Sequence, residues 1–178
     1  MSEIVISSAG NIVSEALCKH FLSKKWVVYV LSETNPSVKN AIWYPAKLTE
    51  ELPYTYMLSR HPIIHTVSPD QNAETSRTVL RRLLQTNPKR PFVHISTVSP
   101  LHHIPGSSDN PTSDMNFAHL LEEEVLSSTN QRTFKPIILR TGLLPTSTIK
   151  TSLLLKTVDR NMWRKYRTVK IFNISQES

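Results

Sequence analysis

Three residues decide what the opening stretch of this chain can do: Ser7, Gly10 and Val13 in Ile4–Val5–Ile6–Ser7–Ser8–Ala9–Gly10–Asn11–Ile12–Val13. An apolar strand runs into a tight turn, and the turn opens an amphipathic helix. The free N–H groups and positive dipole end of such a helix attract phosphate, and a phosphate-binding turn of this type carries three glycines. Here only Gly10 survives. Ser7 and Val13 occupy the other two positions, so anion binding falls to the backbone of Gly10, Asn11 and Ile12 and to the Ser7 hydroxyl. Glu33, about 20 residues past Gly10, is placed to hold a ribose hydroxyl or to be a solvated loop acid.

Other reactive side chains gather later. Ser96 and Thr97 close an apolar run, and His102 and His103 sit in the Pro- and Ser-rich stretch 97–113 that follows. A histidine there could act as general acid or base, because imidazole titrates near neutrality. Adjacent histidines do not converge on one ion without further ligands, and His61 and His65 bracket a strand-like Pro62–Ile63–Ile64. No metal site is expected. A Ser/His/acid hydrolase would need a Gly-x-Ser-x-Gly elbow, which the chain lacks. Near the C-terminus Lys156, Arg160, Arg164 and Arg167 fall at i, i+4, i+8 and i+11. They form a basic stripe suited to nucleic-acid phosphate, acidic lipid or an acidic protein, or simply a solvated helix face.

The elements that position these residues follow from apolar periodicity. Continuous runs at Ile4–Ile6, Trp26–Leu31, Ala41–Tyr44, Pro62–Val67, Phe92–Ile95 and Pro136–Arg140 read as strands buried on both faces. Helical spacing relates Ile12, Ala16, Leu17, His20 and Phe21. It relates Val79, Leu80, Leu83 and Leu84, and again Phe117, Leu120, Leu121, Val125 and Leu126. A fourth helix is expected over Leu153–Tyr166, with a last strand at Val169–Ile174. Residues 47–60 read as helix or loop. The alternation predicts a doubly wound α/β/α domain over residues 1–178 with a mostly parallel sheet, a Rossmann-like fold.

Composition narrows the setting. The 178 residues carry 39% apolar side chains, enough for a core, with 3 glycines and 12 prolines, so turns are stiffened more than bent left-handed. One cysteine, Cys18, excludes an internal disulfide and suggests a reducing compartment. The N-terminus has no signal- or transit-peptide pattern and no apolar run reaches membrane-span length, so the expectation is cytoplasmic, with nuclear access open. A net charge of +7 permits an anionic partner without requiring one.

In order, these segments resemble the extended or atypical short-chain dehydrogenase/reductase family, the NAD-dependent epimerase/dehydratase type. IVISSAGNIVSEAL is similar to its first strand, glycine turn and helix. WVVYVLSE, IWYPAKLTE, PIIHTVSP, PFVHISTVSP and PIILRTGLLP are similar to strands two to six. The resemblance covers residues 3–146 and implies an NAD(P) site at the first turn, with Ser96 and Thr97 near the family's serine. It also implies a Tyr acid/base with a Lys four residues later. Matched through Glu124, that pair falls on Asn116 and Leu120, and no Tyr lies between Phe92 and Lys135. Lys47 stands where the family has an Asp near the adenine. The family's substrate lobe has little room before Ser178, so a pocket would be small or completed by another chain, a second copy included. The expectation is a degenerate relative that binds NAD(P) weakly or not at all and acts through a protein partner. The alternatives are an active atypical oxidoreductase or epimerase using His102 or His103, and a nucleic-acid-associated protein working through its basic C-terminal helix.

Overall fold

The structure, a computed structural model, describes residues 2–7, 12–46, 54–67, 73–97, 113–141 and 148–174. Its strands are β1 (Glu3–Ser7), β2 (Val27–Ser32), β3 (Ile42–Pro45), β4 (Ile63–Thr66), β5 (Phe92–Thr97), β6 (Ile137–Thr141) and β7 (Lys170–Ile174). The helices are α1 (Ile12–Ser23), α2 (Thr55–Arg60), α3 (Ala73–Thr86), α4 (Ser113–Ser127) and α5 (Thr148–Asn161). All seven strands pair in parallel in the order β3-β2-β1-β4-β5-β6-β7. The expected Rossmann-like α/β/α sheet is what the chain forms.

Period-two geometry sends alternate strand residues to opposite layers. Ile4, Ile6, Val30, Ile64, Val93, Ile95 and Leu139 pack with α1 and α5. Val5, Leu31, Ile63, Phe92 and Ile138 pack with α2, α3 and α4. Proline opens β4 and β5, where its missing N–H costs no ladder bond, and the Pro62 and Pro91 carbonyls accept from Val5 and Ile63.

Two helices differ from the expectation. The buried face of α1 is Val13, Leu17, Cys18 and Phe21, not the stripe through Ile12 and His20; Ile12 is 56% exposed. Two apolar stripes overlap in this helix, and the one carrying Val13 and Cys18 turns inward. Burial pushes the Cys18 thiol up to about 12, so it packs as an inert apolar group. The last helix runs over Thr148–Asn161 and stops short of Tyr166. The chain turns at Met162, the Arg164 N–H returns to the Asn161 carbonyl, and the Tyr166 hydroxyl donates to Asn161 Oδ1 at 2.7 Å. Residues 55–60, left open between helix and loop, are the short helix α2.

Candidate functional site

In an open parallel sheet, ligands bind beyond the carboxyl ends of the strands where strand order reverses. Here that point lies between β1 and β4, because β1 pairs with β2 on one side and β4 on the other. The register places Ser7 beside His65 and His65 beside His94, a row of polar side chains across three adjacent strands. One row further on, Ser96 lies beside Arg140. All five occupy alternate positions continuing Val5, Ile63, Phe92 and Ile138, so they face the layer of α3 and α4.

The row is closed. Ser7, His65, His94 and Ser96 are each no more than 1% exposed. Ser7 Oγ and His65 Nδ1 are hydrogen-bonded at 2.8 Å, and Thr66 Oγ1 donates to the Ser7 carbonyl at 3.2 Å. Burial drives the His65 pKa well below the ordinary imidazole value, and the neighbouring His94 adds to the effect. Burial also takes His94 down to about 4, against a smaller pull upward from Glu122. Both rings are therefore neutral at pH 7. Glu122, on α4, is held by Arg140 through bonds of 2.6 to 3.1 Å. Burial raises its pKa, but the bonds from Arg140 and the nearby Ser96 hydroxyl bring it below the ordinary carboxylate value. His65 Nε2 and both His94 nitrogens have no hydrogen-bond partner among the described residues.

A serine hydroxyl on an imidazole is the start of a nucleophile–base pair. It cannot act here as placed, because neither group is open to a substrate. What the contact does is pin the ends of β1 and β4 together.

Gly10, Asn11, Lys47, His102 and His103 lie outside the described residues, as do the side chains of Thr97 and Asn116. Of the remaining candidates, Ser7 is engaged with His65 and Ile12 opens α1 with its side chain in solvent. Glu33, one residue past β2, is exposed and makes no ion pair among the described residues, so it is free to take a ribose hydroxyl. Val13 is 2% exposed and packs with Ile4, Ile6 and Leu17 between α1 and the sheet. Leu120 is half-buried on α4. The described residues fit NAD(P) at one point, Glu33. They do not fit a Tyr–Lys proton relay: Leu120 offers no charge. No group of three metal-binding side chains occurs among the described residues. The basic stripe is divided, since only Lys156 and Arg160 belong to α5 while Arg164 and Arg167 lie in the connection to β7.

Sequence reasoning weighed His65 only as a metal ligand and did not single out His94, Glu122 or Arg140. A signal for both histidines was present. Pro62–Ile–Ile–His65 and Pro91–Phe–Val–His94 repeat one pattern, and equal offsets from the strand-opening proline bring both histidines to the same level.

Neither a family model nor a curated protein matches the sequence. Solved structures do match in fold. MoeE5 in complex with UDP-glucose and NAD superposes with a TM-score of 0.74 at 12% identity, covering 99% of this chain and 77% of that one. UDP-N-acetylglucosamine 4-epimerase from Bacillus cereus gives 0.70 at 12% identity, with 99% and 79% covered. Vestitone reductase from alfalfa (Medicago sativa L.) gives 0.69 at 13% identity, with 97% and 76% covered. Together with the parallel sheet and its switch point, these superpositions establish that the chain has the Rossmann-type fold of the NAD-dependent epimerases and short-chain dehydrogenase/reductases.

Proposed function

We propose that this chain is a binding scaffold on a dinucleotide-binding fold, holding NAD(P) weakly or not at all and carrying out no Tyr–Lys hydride chemistry. The observation that carries the reading is the Ser7 hydroxyl. It sits at the mouth of the phosphate-binding turn, yet it is fully buried and committed to His65 at 2.8 Å. A hydroxyl buried against His65 is not presented to a pyrophosphate. Leu120 supports the same reading, because a ribose-holding ammonium is absent from the helix face that would carry it. Glu33 alone would contribute one charge-assisted bond, too little to offset the cost of ordering a long flexible ligand.

The test is a titration with NADH and with NADPH, followed by intrinsic tryptophan quenching and by nucleotide fluorescence. No saturation in the micromolar range and no reduction of a panel of aldehydes and ketones are expected. Saturable micromolar binding together with turnover of any carbonyl substrate would overturn the reading.

A further inference from the structure

Because every strand runs the same way, all the helix-to-strand connections emerge at one edge of the sheet, the edge where the strands begin. Those connections, residues 24–26, 61–62, 87–91, 128–136 and 162–169, contain no Asp or Glu. They are rich in cations. Lys39 precedes β3, Lys24 and Lys25 precede β2, and Arg60 closes the helix before β4; all four are exposed. Lys89 and Arg90 precede β5, and Arg164, Lys165 and Arg167 precede β7, all again exposed. Six of the seven strands are thus entered from a basic segment once the half-buried Lys135 before β6 is included.

The plain explanation is that cations sit at helix C-termini to neutralise the macrodipole. It is too small. Each helix end offers about half an elementary charge, so five ends offer roughly two to three. Glu3 and Asp159 border this edge: Asp159 is paired with Lys24 and bonded to His20, whereas Glu3, bonded to His61 at 3.2 Å and to the Tyr29 hydroxyl, offsets one of the cations. Lys25, Lys39, Lys89, Arg90, Arg164 and Arg167 make no ion pair among the described residues. The crowding is felt locally. Burial lowers the His61 pKa, Glu3 opposes that, and Arg90 and Arg60 push it down further.

We propose that this edge is a nucleic-acid docking face, which grips the phosphodiester backbone through the basic segments that lead into the strands. Six inter-strand spacings of about 4.8 Å make the face roughly 30 Å across, the length of about nine base pairs. The middle of the face, at Arg60, Lys89 and Arg90, is cationic around the carboxylate of Glu3. The exposed apolar groups bordering it, Ile42 on β3 and Trp163 and Ile171 beside β7, stand at the opposite outer strands. An acidic lipid surface would call for one inserting apolar cluster, which this layout does not provide. Trp163 is 49% exposed with its ring braced on Trp26 at 5.5 Å, a fixed plate on which an unpaired base can stack. This inference stands independently of the coenzyme reading.

The test is fluorescence anisotropy with a labelled mixed-sequence duplex of about 20 base pairs and a single strand of the same length. Affinity is expected to fall about a hundredfold between about 50 and 200 mM salt, the change for about four phosphate contacts. The double variant Lys89→Glu/Arg167→Glu is expected to lose tenfold or more in affinity and to flatten the salt dependence. The double variant Lys19→Glu/Arg82→Glu makes the same change in net charge on the flanks of α1 and α3 and is expected to lose less than threefold. Should the first pair lose its circular-dichroism spectrum, Lys89→Gln/Arg167→Gln carries the same comparison. Equal losses from both pairs, salt-insensitive or absent binding, or preference for phosphatidylserine vesicles over both oligonucleotides would overturn the proposal.

Discussion

The imidazoles of His65 and His94 are stacked in the protein interior, with ring centroids 5.4 Å apart and planes 20° from parallel. Stacking suits two neutral rings and is hostile to two charged ones. Three of their four nitrogens have no hydrogen-bond partner among the described residues, so neither ring has a hydrogen-bonded carboxylate to receive it if it protonates, and the attraction of Glu122 for His94 is smaller than the cost of burial.

Acid should therefore weaken the fold through these two residues. Below an ordinary imidazole pKa of about 6.5 the unfolded chain binds protons that the folded chain refuses. Stability should be complete above about pH 7 and decline as pH falls through the window from about 6.5 toward the value of about 4 held by His94, then level off for this group. That gap is worth on the order of 3 kcal/mol for His94 alone. Urea-unfolding midpoints measured from pH 7.5 to 4 should show the decline, and His94→Leu should remove much of it. An unchanged slope in that variant would count against the assignment.

Ser7→Ala removes the partner of His65 Nδ1 without changing the volume of the site. It should cost about 1–2 kcal/mol in chemical denaturation, the penalty for a buried polar atom left unpaired. Because that hydroxyl is already spent, NADH titrations of the variant and the parent should coincide. Improved or weakened coenzyme affinity would show that Ser7 reaches the ligand after all.

The Glu122–Arg140 pair should respond unequally to losing either partner. The Glu122 side chain is 4% exposed and that of Arg140 34%. Arg140→Met strands a buried carboxylate and should cost about 3 kcal/mol, whereas Glu122→Gln leaves a guanidinium that water can reach and should cost about half as much. Thermal unfolding of the two variants at pH 7 reads the order directly, and the reverse order would refute the argument.

Arg132 should behave as a structural clamp. It is 4% exposed, donates to the Leu84 carbonyl at 2.8 Å and the Arg90 carbonyl at 3.0 Å, and lies over the Phe92 ring at 5.2 Å. Burial without a carboxylate lowers its pKa to about 10. The fork geometry satisfies two carbonyls at once, which an ammonium cannot reproduce. Arg132→Lys should therefore lose at least about 2 kcal/mol, close to the loss in Arg132→Met, when both are compared by urea unfolding. Full rescue by Lys would mean that charge alone matters.

How much of this was legible in the sequence depended on how local each signal is. Strands such as Val27–Ser32 announced themselves, because a strand buried on both faces is read from a nearly continuous apolar run. The buried set on α3, Val79, Leu80, Leu83 and Leu84, was equally plain. α1 was ambiguous, since Leu17 and Phe21 belong to two overlapping stripes and only packing on Ile4 and Ile6 chooses between them. The end of α5 was set by a tertiary contact, Tyr166 folding back on Asn161, that periodicity does not encode. The polar row was hidden for the same reason. Ser7, His65 and His94 are 58 and 29 residues apart along the chain, and only the strand register makes them neighbours.

The apolar face of α1 also has a bearing on how the chain is made. Val13, Leu17 and Phe21 are covered partly by Leu154 and Val158 of α5 and by Met162 just beyond it, and His20 reaches Asp159 across 139 residues. On the ribosome, the first helix therefore waits with an open greasy flank until almost the last of these segments has emerged. A product halted before Thr148 keeps six strands but no lid for that flank, and should be the species that chaperones retain and proteases clear.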